Sequence, residues 1–151
     1  MKLLYIFLIS MVPLIEQRGA IPIGTIVYGI NPFLVFFVCL VGSFIPAPFI
    51  YLFFNRILGW MKTKKVFHKF TDFIDKKIQK GAKKVEGFME LGLIAFVGIP
   101  LPTTGLWTGS AIAAFLGLDF KKSMICVFCG GVISAIIITI LSMLMPTILG
   151  L

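Results

Sequence analysis

Two opposite charges lie two positions apart near the start of the chain, within a run that is otherwise apolar. Glu16 and Arg18 are the only charged residues between Lys2 and Arg56. If this run lies in a membrane, each charge costs roughly 2.5–3.5 kcal/mol on insertion scales and is usually paired, hydrated or functional. Glu16 can exchange protons there, and Arg18 can bind an anionic group through paired hydrogen bonds. The alternative is a structural ion pair that fixes the local fold.

A second interruption of the apolar sequence runs from Gly98 to Gly105. Its prolines remove helical hydrogen bonds, and its hydroxyls and a following indole can line a polar cavity. The helices that begin after Arg18 and after Thr104 would direct their positive N-terminal ends into that cavity. Hydroxyls also have a simpler use, because Ser and Thr often bond to their own helix backbone. The candidate substrate- and proton-binding residues of the two interruptions are Glu16, Arg18, Pro22, Pro100, Pro102, Thr103, Thr104 and Trp107.

The composition indicates where these residues must be positioned. The 151 residues are 59% hydrophobic and 13% charged, with a mean hydropathy of +1.06, so too little polar surface exists to cover a soluble globule. A membrane crossing takes about 20 helical residues. The apolar runs long enough to cross or deeply enter a bilayer are 3–15, 19–54, 91–118 and 123–149. The sequence therefore predicts an all-α integral membrane protein.

The net charge of +8 is concentrated in one loop. Ten of the fourteen basic residues lie between positions 56 and 84, which predicts a cytoplasmic loop and a multi-pass protein of the cell membrane. Apolar residues recur at helical spacing over 62–86, so this segment is predicted to be an amphipathic helix on anionic lipid headgroups, with the basic residues of 62–84 as contacts. A solvated helix packed on the protein's own surface is the alternative. Nucleic acid is not an expected partner beside membrane spans.

The second half of the sequence repeats the first at a shift of 88 positions. Gly29 pairs with Gly117, and Asn31 pairs with Asp119, so a helix stop followed by a helix start recurs. Each half reads as short helix, polar break, short helix, cap and long helix. Pro46 predicts a kink in the first long helix. The predicted organisation is one membrane domain over 1–151, with repeat one at 1–58, a cytoplasmic linker at 59–87 and repeat two at 88–151.

Two topologies fit this pattern. If 3–30 and 91–118 cross the membrane, the chain has four spans and Lys121 lies outside. If they are re-entrant hairpins, each half has one full span, and Lys121 lies inside with the basic loop. We favour the second topology because it obeys the positive-inside rule better and makes the halves inverted repeats. Each repeat is then a re-entrant hairpin followed by a transmembrane helix.

The sequence contains no set of residues that predicts catalysis or a cofactor. No nucleophile–base pair or phosphate-binding glycine loop is recognisable, so we expect no enzyme activity. Cys39, Cys126 and Cys129 lie in apolar spans without a nearby His or carboxylate, which predicts no metal site. Small residues such as Gly109 and Gly130 suit close helix contacts within or between protomers, and a homodimer is expected because one chain has few spans.

The sequence resembles the small multi-drug export protein family of bacteria and archaea, over essentially its full length. The likeness is carried by Glu16 to Gly24 and by Pro100 to Ser110. It implies a secondary transporter, and the residues above imply proton coupling with a polar site between the two breaks. The paired breaks are more distantly similar to DedA-type membrane proteins, which implies a flippase or scramblase for lipid or polyprenyl phosphate as an alternative. The second break lacks the basic residues of those proteins. A non-transporting scaffold or pore is the third hypothesis.

Overall fold

The computed structural model describes residues 1–62, 82–101 and 104–149, and every regular element in these ranges is helical. The elements are α1 Lys2–Ser10, α2 Glu16–Pro22, a π-helical segment Ile23–Val27, α3 Pro32–Phe44, α4 Pro46–Lys62, α5 Ala82–Gly98, α6 Leu106–Phe115 and α7 Phe120–Leu149. The all-helical prediction is confirmed for these residues. Most of the amphipathic helix predicted over 62–86 lies outside the described ranges.

The first interruption is shorter than the sequence suggests. Helix α1 ends at Ser10, and α2 begins at Glu16 rather than at residue 19. The charged residues therefore occupy the first turn of a helix, where the backbone still leaves N–H groups free. Pro22 has no N–H to donate, and the chain widens into the π-helical segment directly after it.

Helix α1 and the α2–π segment fold back on each other as a hairpin. The Nζ atom of Lys2 lies 5.5 Å from the centroid of the Tyr28 ring. The Tyr5 ring meets the same ring edge-on, with centroids 6.2 Å apart. The start of α1 and the end of the π-helical segment therefore lie next to each other. Residues 3–30 form no single continuous helix.

The second half contains a hairpin with the same order of elements. Helices α5 and α6 are separated by the break at 99–105 and pack side by side. A Cβ built on Gly109 would lie 2.3 Å from Cγ2 of Val97 and 3.7 Å from Cδ1 of Leu93. The missing side chain thus lets α6 approach α5 closely.

Two helices are long and apolar enough to cross a membrane within the described ranges. Helices α3 and α4 together give one of 30 residues, Pro32–Met61, and Phe120–Pro146 of α7 gives one of 27 residues. The helical assignment is interrupted only at Ile45, immediately before Pro46, where the sequence predicts a kink.

The two long helices run in opposite directions. Tyr51 in α4 donates a hydrogen bond from its hydroxyl to the carbonyl of Leu118, and its ring lies 5.3 Å from that of Phe120 at the start of α7. At the other end, Phe33 lines an apolar groove together with Ile140 of α7. The start of α3 therefore lies beside the late part of α7.

Matching caps connect each hairpin to its long helix. Gly29 and Gly117 have left-handed backbones, with φ of 61° and 67°, and their positions differ by the 88 residues of the sequence repeat. Two residues later, Asn31 accepts a hydrogen bond from the N–H of Phe33 at 2.9 Å. Asp119 accepts one from the N–H of Lys121 at 3.1 Å. The turn chemistry that suggested the repeat is thus present at both junctions.

The buried apolar residues of the described ranges form two clusters. One contains Ile6, Ile21 and Val35 of the first half together with Ala135 of α7. The other contains buried residues of α4, α5, α6 and α7, with Val97 among them. Helix α7 contributes to both clusters and so joins the two halves.

Candidate functional site

Glu16 begins α2 in an unusual backbone conformation. Its φ is 44°, the one positive value found among the non-glycine residues that the structure describes. Such a conformation costs about 1–3 kcal/mol and persists only where the surroundings enforce it. The side chain is buried, with 4% of its surface exposed. The strain positions the carboxylate toward the second break.

The Glu16 carboxylate binds the N-terminus of α6. Its Oε2 accepts a hydrogen bond from the N–H of Leu106 at 3.2 Å, and its Oε1 accepts one from the N–H of Trp107 at 3.1 Å. A helix leaves its first N–H groups without partners and carries partial positive charge at that end. The anion site that the sequence predicts at this helix is therefore filled by a carboxylate of the protein itself.

Gly105 leaves room for that carboxylate. Its backbone is extended, with φ of −171°, so the conformation by itself does not require glycine. A Cβ at this position would lie 2.3 Å from Oε2 of Glu16 and 2.7 Å from its Cδ. The N–H of Gly105 donates to the hydroxyl of Thr108 at 2.8 Å, which completes the cap of α6.

Arg18 binds the opposite helix end. Its guanidinium donates to the carbonyl of Leu101, and also to those of Val97 at 3.3 Å and Ile99 at 3.4 Å. Val97 lies in the last turn of α5, and Ile99 and Leu101 follow that helix, where Thr104 also donates to their carbonyls. Cationic side chains stabilise this end of a helix.

Glu16 and Arg18 thus hold the two ends of the second broken helix, rather than binding each other. Glu16 contacts the start of α6, and Arg18 contacts the end of α5. The simple ion pair that the sequence allowed as an alternative is not what the side chains form. The two charges still attract each other, and together they attach the start of α2 to the helix ends on both sides of the second break.

Gln17 is a residue of this site that the sequence reasoning missed. It is fully buried, and its Nε2 donates to the carbonyl of Gly131 in α7 at 2.8 Å. Its Oε1 has no hydrogen-bond partner among the described residues. A polar amide between two charges was the available signal, but its partner lies 114 positions away.

The hydroxyl groups in and after the second break form hydrogen bonds with nearby backbone groups. Thr104 donates to the carbonyl of Ile99 at 2.7 Å and accepts from the N–H of Leu101 at 3.3 Å. Ser110 donates to the carbonyl of Leu106 in its own helix at 2.6 Å. The hydroxyl groups of Thr104 and Ser110 therefore bond to nearby backbone carbonyls, which is the alternative role that the sequence allows.

The remaining predicted site residues lie in different places. Pro22 is inside α2, and Pro100 follows α5 in the break. Pro102 and Thr103 lie outside the described residues. The ring of Trp107 lines an apolar groove of about 550 Å³ with side chains of α4, and its buried Nε1 has no hydrogen-bond partner within the described ranges.

A cavity of about 200 Å³ lies where the two breaks meet. It is lined by Pro13, Leu14, Ile15, Glu16, Arg18, Thr104, Gly105 and Thr108. Both charged residues and two hydroxyl residues therefore border one space, together with apolar residues of the first break. The Trp107 ring does not border it.

No metal centre is found in the described ranges, where no group of three His, Cys, Asp or Glu side chains comes together. Cys39 and Cys126 are buried free thiols, and Cys129 is an exposed one. Cys126 and Cys129, three positions apart in α7, therefore form no disulfide bond with each other.

The fold and this site define a helical membrane protein in which two broken helices meet at a buried charged centre. The chain belongs to the family described as putative small multi-drug export protein, whose sequence model matches residues 16–137. The match begins at Glu16, the first residue of α2, and includes the second break. Searches of curated proteins and of solved structures each gave no significant match.

Proposed function

We propose that the protein is a proton-coupled secondary transporter whose polar site lies between the two broken helices. The observation that carries this proposal is the Glu16 carboxylate, which is buried beside a cavity and bound to the N-terminus of α6. The family description supports export of small molecules. A transporter that binds its cargo without chemical change needs no catalytic residues, so the proposal includes no enzyme activity.

In the proposed arrangement α3–α4 and α7 span the membrane, and the two hairpins re-enter it from opposite faces. The antiparallel long helices and the paired caps at Gly29 and Gly117 support this inverted repeat. Ser43 of α3 binds the carbonyl of Ser10 at the tip of the first hairpin. Ser43 lies eleven residues after Pro32, so this tip is about 16 Å along the long helix, near half of a 30 Å hydrocarbon core.

The second tip reaches a similar depth from the other face. A Cβ on Gly98 would lie 3.3 Å from Cγ2 of Ile133, which is thirteen residues, or about 20 Å, after the start of α7. Irregular backbone at this depth must be buried in protein or line a cavity. The two breaks meet this demand by binding each other.

Protonation of Glu16 provides the coupling step. An ionised carboxylate accepts stronger hydrogen bonds than a neutral carboxyl group. Proton uptake therefore weakens the attachment of Glu16 to Leu106 and Trp107, while Arg18 still holds the end of α5. Helix α6 can then move relative to α2 and open the cavity toward one face.

The proposal extends to the surroundings of the transporter, as the sequence predicts them. We propose that the basic segment 56–84 is cytoplasmic and contacts anionic headgroups, and that 1–58, 59–87 and 88–151 are the two repeats and their linker. Phe37 and Phe49 are among many exposed apolar side chains on the long helices, as expected for surfaces that face lipid or a second protomer. We propose a homodimer because a chain with two spans encloses little volume.

The test is flux through purified protein in lipid vesicles. The wild type should accumulate a cationic dye in response to a pH gradient. Glu16→Gln keeps the side chain's size but removes its proton exchange, so the gradient-dependent flux should fall by about tenfold or more. Glu90→Gln is the matched control, because Glu90 pairs with Lys122 3.2 Å away at the surface. Unchanged gradient-driven flux in Glu16→Gln would contradict the proposal.

The transfer of lipid or polyprenyl phosphate is the second candidate, and it depends on Arg18. Its guanidinium lies beside the cavity, which favours this candidate, but it donates to three carbonyls instead of facing an open anion site. Arg18→Ala should abolish lipid-phosphate transfer if that is the function, and Glu16→Gln should affect it less. If both variants lose only stability, and no flux of either kind is present in the wild type, the scaffold hypothesis is favoured.

A further inference from the structure

The three carbonyl oxygens around the Arg18 guanidinium form a cluster that has the chemistry of a cation site. The oxygens of Val97, Ile99 and Leu101 all accept hydrogen bonds from this one group. They lie at the C-terminal end of α5, a helix of 17 residues, where the partial charge of the helix is negative. Carbonyls at unwound helix ends coordinate cations in membrane proteins.

We propose that this carbonyl cluster binds an organic cation with N–H donors, and that Arg18 occupies it as a tethered substitute when the cation is absent. Guanidinium, amidinium and primary ammonium groups have the required donors. Quaternary ammonium groups have none and cannot make these hydrogen bonds. As the identification of a substrate class, this inference rests on the proposed export function.

The surroundings of the cluster support an exchange of cations. Arg18 and Glu16 both line the cavity of about 200 Å³, so space for a small ligand adjoins both residues. Arg18 is half-buried, and its Nε atom has no hydrogen-bond partner among the described residues. The guanidinium is therefore held by two of its nitrogens only. Its departure would remove the Arg18 donor from Val97, while the carbonyls of Ile99 and Leu101 keep hydrogen bonds from Thr104. An incoming cation with N–H groups would restore the donor to Val97.

Arg18 also sets the affinity for such a ligand. A tethered group competes with an effective concentration in the millimolar range, which any free cation must overcome. Removing the Arg18 side chain removes this competitor, and Thr104 continues to donate to the carbonyls of Ile99 and Leu101. Arg18→Ala should therefore bind guanidinium about tenfold more tightly than the wild type, or better.

The experiment measures the thermal stability of detergent-purified protein with guanidinium chloride at about 20 mM, far below denaturing concentrations. Tetramethylammonium chloride and sodium chloride at equal concentration are the salt controls. Ligand bound only to the folded state raises the melting temperature in a saturable way. Arg18→Ala should show this rise with guanidinium alone. Arg56→Ala is the matched control, because Arg56 is exposed in α4, and this variant should behave as the wild type.

The outcomes separate this inference from the export proposal, because binding is measured without transport. A folded Arg18→Ala protein that guanidinium does not stabilise, or that all three salts stabilise equally, would overturn the cation site. If Arg18→Ala is recovered folded only when guanidinium is present throughout purification, the site is supported. Equal loss of folded protein in every salt would count against it. Stabilisation by guanidinium without flux of any N–H cation in wild-type vesicles would overturn the export function while leaving the site intact.

Discussion

A Cβ placed on Gly105 would lie 2.3 Å from Oε2 of Glu16, closer than real Cβ atoms approach any neighbour. The carboxylate reaches the first N–H groups of α6 only because this side chain is missing. Glu16 is the first residue of α2, and Gly105 is the residue directly before α6. It makes the contact between the breaks sensitive to a single methyl group.

Gly105→Ala should therefore detach Glu16 from α6. We expect a loss of about 1–3 kcal/mol in the free energy of unfolding, because the N–H groups of Leu106 and Trp107 lose their hydrogen bonds to a charged group. Flux should fall together with stability. Gly92→Ala is the control, because nothing lies within 4 Å of a Cβ built there, and it should be neutral or stabilising. Denaturation in mixed micelles measures the free energy of unfolding of both variants. Equal values for the two would show that a side chain at position 105 does not displace the Glu16 carboxylate.

The close contact between Gly109 of α6 and Val97 of α5 predicts that substitutions at these two positions are not additive. A Cβ on Gly109 would meet Cγ2 of Val97 at 2.3 Å, and its next neighbours are 3.7 Å away. Gly109→Ala alone should cost about 1–3 kcal/mol. Val97→Ala removes the clashing methyl group, so the double variant should be more stable than the sum of the two single losses predicts.

A double-mutant cycle measures the coupling energy between these two positions. A favourable coupling energy of about 1 kcal/mol or more between positions 97 and 109 is expected for residues in direct contact. Additive losses would mean that α5 and α6 do not pack at this point. Ile112→Val, an exposed change in the same helix, provides a reference that should cost little.

Much of the fold was accessible from sequence because its signals are local. The apolar runs, the break at Pro100 and the caps at Asn31 and Asp119 each depend on neighbouring residues, and each appears where the sequence predicts it. The start of α2 was less accessible. Polar residues at 16–18 suggested an irregular segment, but the helix begins at Glu16, which has a positive φ and whose carboxylate binds the N-terminus of α6.

The partners of the charged residues could not be predicted from sequence. Glu16 binds backbone N–H groups 90 and 91 positions away. Every residue except proline has such a group, so the residue types give no sign of which positions donate. Sequence reasoning offered a Glu16–Arg18 ion pair as an alternative because the two residues are near neighbours in the chain. The structure instead separates them onto opposite helix ends. Gln17 was missed for the same reason, since its partner is a backbone carbonyl.

The two left-handed glycines offer a test of the repeat. Gly29→Ala and Gly117→Ala should each cost about 1–2 kcal/mol, because an L-residue is strained at these positive φ values. Similar losses at both positions are expected if the two junctions are equivalent. Gly59→Ala lies within α4 with nothing within 4 Å of its Cβ, and it should be neutral or stabilising by up to about 1 kcal/mol. A large loss at only one of the two junctions would show that they differ in function or packing.

The accessibility of single cysteines tests the arrangement in the membrane. The background replaces Cys39, Cys126 and Cys129, of which Cys129 is exposed. Cysteines at Lys2 and Asn31 should react with an impermeant thiol reagent from the same side, because the first hairpin brings its two ends together. A cysteine at Lys121 should react only from the opposite side, since the long helices are antiparallel and about 45 Å long. A cysteine at Thr108 should react more slowly, through the cavity it lines. If Lys2 and Asn31 react from opposite sides, residues 3–30 cross the membrane, and the meeting of the two breaks near its midplane is lost with the proposed transport site.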